Sequence, residues 1–172
     1  MIEPPARLSS RPRDPRGYAI PWTQFIRADG TPDFRVLDHE RVQRALRVRL
    51  CSMCGGSMGR HIYFIGGPLC VSNGYFYDPP MHRECALYAL QICPHLARSK
   101  GRYIEPATVA RSIGPEAKLI IGDMAPDKAE WFGLMHATDY TFGQDAKGMI
   151  MIKAKLPWLD VERWRDGAIF YE

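Results

Sequence analysis

Residues 50–59 read LCSMCGGSMG and residues 79–96 read PPMHRECALYALQICPHL. The first stretch carries Cys51 and Cys54, the second His82 and Cys85, and in each pair two residues stand between the polar side chains. Zinc takes thiolate and imidazole ligands in a tetrahedron, and a tight turn lets two ligands at this spacing reach one ion. Gly55 and Gly56, directly after Cys54, let backbone amides approach the sulfurs, as a zinc knuckle requires. The second pair implies a different geometry. Residues three apart on a helix project from one face, so His82 and Cys85 can both point at the ion from a first helical turn, where the positive end of the helix also favours thiolate.

The expectation is one structural Zn2+ held by Cys51, Cys54, His82 and Cys85. Between Cys54 and His82 lie 27 residues, more than a short finger uses and enough for a β-hairpin. Knuckle, hairpin and helix-borne ligands in that order predict a treble-clef-like zinc site within a single compact α+β domain. Three other side chains remain open as ligands. Cys93, about two turns beyond Cys85 and on the face of Ala86 and Ala89, reads as core; Cys70 reads as packed in a strand; His95 replaces His82 if the helix begins later.

Four sulfur-rich ligands close the metal shell, whereas catalytic zinc keeps a position open, so no catalytic residue is assigned. The zinc-deaminase order of His-x-Glu followed by Pro-Cys-x-x-Cys is absent, and Glu84, two residues after His82, reads as helix N-terminal charge. No Walker A loop, nucleophile elbow or dinucleotide fingerprint occurs. His61 and Asn73 are the residues a metal-dependent nuclease of the His-metal finger type would enlist. His39 and His136 have no partner at ligand spacing.

Around the metal pairs, residues 1–17 read as a flexible Pro- and Arg-rich arm with little to bury, and residues 18–172 as one domain. Its zinc-bearing part spans 18–98 and its β-rich part 112–172. Residues 18–38 predict two extended segments around Ala28-Asp29-Gly30, and Asp38 is a natural N-cap for a helix running to Cys51. Residues 60–78 read as two β-prone runs around Gly66-Gly67, or as a run broken at Asn73-Gly74. A helix is expected from about Met81 to Cys93, where Pro94 stops it. Beyond a basic connector, KLIIGDM, LMHATDYTF and GMIMIKA read as strands, PDKAEWFGLM as a helical turn or more, and PWLDVERWRDG as a closing helix with Gly167 as its stop.

The chain of 172 residues is of single-domain size. It has no apolar run near the roughly 20 residues that cross a bilayer and no signal-like start, so the expected location is the cytoplasm. Five cysteines are an odd number, which favours reduced thiols over a disulfide scaffold. Net charge is +4, with +4 on residues 1–50, +3 on 51–111 and −3 on 112–172. That asymmetry admits an anionic partner on the front two thirds. The rings of Trp131, Phe132, Tyr140, Phe142, Trp158 and Trp164 read first as core and second as a partner-binding face.

DPRGYAIPW, ADGTPDFRVLD, LCSMCGGSMGR, GPLCVSN and PPMHRECALYALQICPHL, spread over residues 14–97, resemble a group of uncharacterised zinc-binding proteins carried by bacteriophages and their bacterial hosts. The resemblance implies metal pairs at Cys51, Cys54, His82 and Cys85, keeps Cys70 and Cys93 as accessory candidates, and implies a phage association with no activity attached. The functional expectation is a zinc-stabilised binding protein acting on a host or phage macromolecule, a protein by preference, in the host cytoplasm. The alternatives are a nucleic-acid-binding regulator using the Arg-rich front, and a metal-dependent nuclease.

Overall fold

The computed structural model describes residues 2–97, 129–146 and 148–171. Local signals place the first elements. Strands β1 (Gln24–Ile26) and β2 (Pro32–Leu37) pair antiparallel across the expected turn, where the Asp29 carboxylate accepts from the Thr31 amide and hydroxyl. Helix α1 (His39–Val48) begins at Asp38, whose side chain accepts from the Arg41 amide at 3.0 Å, and buries Val42, Ala45 and Leu46 at the spacing of one helical face.

From there the chain departs from the expected hairpin. Strand β3 (Ile62–Gly66) leads into helix α2 (Pro68–Asn73), and only then comes the short strand β4 (Tyr75–Phe76). Pro68 in the first turn of α2 and left-handed Gly74 just past its end (φ 68°) bracket the helix as those residues usually do. A matching feature lies beneath it. Gly66 of β3 stands opposite Gly133 of β5 (Phe132–Ala137). A Cβ on Gly66 would come within 2.5 Å of Cys70 Cβ, and one on Gly133 within 2.6 Å of Val71 Cγ2. The two glycines form the flat seat on which α2 rests.

Helix α3 (Arg83–Ile92) follows, with His82 as N-cap, and buries Cys85, Ala86, Tyr88, Ala89 and Leu90. The remaining strands are β6 (Tyr140–Gln144), β7 (Ile150–Ala154), β8 (Asp160–Arg165) and β9 (Ala168–Ile169). They complete a mixed α+β fold with three small antiparallel sheets among the described residues: β1-β2, β3-β5-β8-β9 and β4-β7-β6. Phe64 of β3 stacks on Phe76 of β4 at 4.5 Å, meets Tyr140 edge to face and lies tilted against Trp158. This ring cluster joins the second sheet to the third. Phe132 and Trp164 are buried as well, and Trp158 Nε1 donates to Val71 O at 2.7 Å, so most of the late aromatics serve packing. Phe142 is exposed.

Four expectations are corrected. No hairpin joins β3 to β4, because β3 pairs with β5 and β4 with β7. The expected closing helix at 157–167 is strand β8. Its register against β5 runs from Phe132↔Trp164 to His136↔Asp160, and Asp166 and Gly167, both at positive φ (51° and 77°), turn the chain into β9. An Asp-Gly pair in that conformation is the two-residue hairpin turn, not a helix stop. Phe132–Ala137, which the sequence divides between a helical turn and a strand, is all strand, and LMHATDYTF is two strands in two sheets.

The expected arm is the fourth. Residues 6–8 form a 3-10 turn that places Leu8, with no exposed surface, in the core. Buried Asp14 accepts from the amides of Arg16 and Tyr18 and pairs with the Arg16 side chain, while Arg13 bridges to Ala19. The apolar anchor is one residue among prolines and arginines, too sparse to show as a pattern. The strand read at KLIIGDM and most of the basic connector lie outside the described residues. No helix among the described residues is long and apolar enough to cross a membrane.

Candidate metal centre

The knuckle is a tight loop clamped at both ends. The amide of Cys51 donates to Gly56 O at 2.9 Å and that of Gly55 to Cys51 O at 2.8 Å, while Leu50 and Ser57 bridge. Arg49 (φ 53°), the left-handed cap of α1, turns the chain into it. Gly55 has φ 74°, a conformation open to glycine at little cost. The same loop is fixed to its surroundings by Trp22 N to Met53 O (3.0 Å) and Thr23 N to Ser52 O (3.1 Å).

The second ligand pair is brought to the knuckle by the residues just before it. Ser52 N donates to Pro80 O at 3.2 Å, and Met81 exchanges two backbone hydrogen bonds of 2.9 Å with Tyr63 at the head of β3. Residues 80–82 are thus held between the knuckle and the second sheet. His82 takes the N-cap position and Cys85 the first turn of α3, so both side chains face back toward Cys51 and Cys54.

The outcome is a cluster in which one ligand atom from each of Cys51, Cys54, His82 and Cys85 lies within 4.8 Å of all the others. In a tetrahedron with Zn–S near 2.3 Å the sulfurs stand about 3.8 Å apart, so the longest separation has to shorten by about 1 Å at most. Cys51 and Cys85 are fully buried, His82 is 9% exposed, and Cys54 forms the outer corner.

Hydrogen bonds around the four groups suit a metal. His82 Nε2 lies 3.1 Å from Ser57 O, a contact only an N–H can satisfy, which leaves the Nδ1 lone pair aimed at Cys54 Sγ 3.4 Å away. The amides of Gly56 and His82 donate to the sulfurs of Cys54 (3.3 Å) and Cys51 (3.4 Å). Hydrogen bonds from the Cys51 and Cys85 thiols, with the Gly56 amide, draw the Cys54 thiol far below its ordinary range. The same crowding of sulfurs pushes Cys51 and Cys85 up. Three sulfurs competing for protons in a buried corner are a donor set that a divalent cation relieves.

Three thiolates, one imidazole and Zn2+ would carry a net charge of about −1. Arg7 and Arg11 stand where that charge is felt, and the N-terminus of α3 adds its partial positive charge. Glu84, read from sequence as helix charge, also holds the N-terminal segment, by an ion pair with Arg7.

The alternative ligands stay outside the cluster. Cys93 is the C-cap of α3, a helix length from the first turn, and His95 follows it. Cys70 lies on α2 over Gly66, where burial raises its thiol above the ordinary range. The five cysteines are unbridged. His61 and Asn73 have separate partners: Asn73 Oδ1 accepts from the Tyr75 amide, and His61 Nδ1 lies 2.9 Å from His136 Nε2. That histidine pair links residues 75 positions apart, on no local signal. What the sequence did not display at the metal cluster is Ser57 O, since a backbone carbonyl has no residue-type signature.

No family model, curated protein or solved structure matches this chain.

Proposed function

We propose that Cys51, Cys54, His82 and Cys85 hold one structural zinc ion in a treble-clef-like centre, and that the chain is a zinc-stabilised protein whose surface binds a macromolecular partner. The observation that carries this is the convergence of the four ligand atoms within 4.8 Å of one another from two separate stretches of chain. In the treble-clef description, the knuckle and the first turn of α3 supply the ligands, and β3, α2 and β4 stand where the hairpin would be. A shell filled by four protein ligands leaves no position for a substrate or reactive water, so the ion's role is to cross-link.

The surface is then what acts. The phage resemblance of residues 14–97 supplies the partner class, a host or phage macromolecule, and rests on those motifs alone. A nucleic-acid partner comes second, because many of the front arginines are engaged within the fold: Arg7 with Glu84, Arg16 with Asp14, Arg27 and Arg35 with Asp33, and Arg49 with Asp139. Arg44 and Arg47 on the outer face of α1 are exposed and would carry the phosphate contacts of that second reading.

Elemental analysis of purified protein tests the centre, and affinity capture from phage-infected cells tests the partner. One zinc per chain is expected, with a captured macromolecule lost when Cys51→Ser protein is the bait. A metal-free, fully folded protein would overturn the reading. A salt-sensitive mobility shift on generic DNA, abolished by substituting Arg44 and Arg47 together, would bring the nucleic-acid reading first.

A further inference from the structure

On the second sheet a different pair of nitrogen ligands meets. His61 immediately precedes β3, and His136 lies on β5 directly opposite Tyr63. Residues 61 and 63 of an extended chain share a face, so His61, Tyr63 and His136 stand on the same side. There His61 Nδ1 approaches His136 Nε2 to 2.9 Å, with ring centroids 5.0 Å apart. The Tyr63 ring stacks on His136 at 4.6 Å and 10°, which fixes the orientation of that imidazole. On the other side of His136, Asp160 of β8 is its cross-strand neighbour, and directly opposed residues have Cβ atoms about 5 Å apart.

We propose that His61 and His136 form a second, exposed site for a divalent transition-metal ion, separate from the Cys3His cluster, with water in the remaining positions. Two imidazole nitrogens on one tetrahedral Zn2+, at Zn–N near 2.05 Å, stand about 3.3 Å apart. The observed pair therefore has to open by only about 0.4 Å, which an exposed side chain such as His61 accommodates by a small rotation. Burial first, and then the neighbouring His61, lower the His136 pKa below its ordinary value, so the neutral, ligating form prevails at neutral pH.

Arg83, whose charge reaches His136, is paired with Glu162. An all-nitrogen and oxygen set suits Zn2+, Ni2+ and Cu2+, and its exposure makes it an exchangeable site unlike the buried sulfur cluster.

Calorimetric titration of Ni2+ into zinc-loaded protein near neutral pH tests this, with the ring protons of both histidines followed by NMR. One binding event per chain is expected, with paramagnetic broadening confined to His61, Tyr63, His136 and Asp160. His61→Gln and His136→Gln should each weaken it by more than the roughly 10–100-fold that an outer-shell change costs, and His39→Gln should leave it unchanged. The cobalt-thiolate absorption of the Cys3His cluster should be the same in all these variants, which shows that they fold. Absence of a saturable event, binding indifferent to both substitutions, or broadening centred on the cysteine cluster would each overturn the proposal.

Discussion

Removing the proposed zinc ion is the perturbation with the largest expected effect. Cys51 and Cys85 are fully buried, and the cluster ties the knuckle, residues 80–82 and the first turn of α3 to one point. A ligand that binds only the folded chain stabilises it by RT ln(1 + [L]/Kd), about 4 kcal/mol when free zinc stands about 1,000-fold above Kd. For a chain of this size each kcal/mol moves Tm by about 2–4 °C, so chelation should lower Tm by about 8–16 °C. The chain also has a sizeable apolar core away from the cluster, from Ile62 and Phe64 to Ile150 and Ile152. Apo protein should therefore retain strand signal while the knuckle and the start of α3 loosen. Differential scanning calorimetry with and without chelator reads the shift, and hydrogen exchange at Cys51, Gly55, Gly56 and Ala86 locates it. Cys85→Ser should reproduce the loss in zinc-loaded buffer, whereas Cys93→Ser should retain the metal. A Tm unmoved by chelation of metal-loaded protein, or metal lost from Cys93→Ser and kept by Cys85→Ser, would refute the assignment.

Three other outcomes test the fold. Leu8→Ala should destabilise by about 2–5 kcal/mol in urea unfolding, the cost of a large-to-small change at a fully buried site; an exposed arm would give almost none. Gly66→Ala should cost about 1–3 kcal/mol, because the new methyl meets Cys70 Cβ close to the α2 backbone instead of the end of a flexible side chain. Asp33 is nearly buried, and hydrogen bonds from Arg35, then Arg27, outweigh its burial and hold its carboxyl far below the ordinary range. Its stabilisation is thus complete above the unfolded-state value of about 4 and fades as pH falls from there toward the lower folded value. Acid titration of unfolding should show that loss in the wild type and not in Asp33→Asn, which starts about 1.5–3 kcal/mol less stable at neutral pH.

Features that depend on a few consecutive residues can be read from the chain alone. Cys51 and Cys54 with two residues between them and Gly55-Gly56 after them, the Asp38 cap, the turn at residues 28–30 and the end of α3 before Pro94 depend on chain geometry within one turn, and all are legible without knowing what lies across the molecule. Two further local signals have a different meaning in the fold: Pro68 and Gly74 bracket α2, and Asp166-Gly167 is a hairpin turn instead of a helix stop. The remaining features depend on long-range contacts. VERWR suits a helix or a strand, and it became β8 because β5 offered a free edge, a partner about 30 residues away whose hydrogen bonds no local propensity contains. The separation of β3 from β4, the burial of Leu8 and the meeting of His61 with His136 have the same origin. Each joins groups far apart in sequence, where only the packed arrangement of the sheets fixes which surfaces meet.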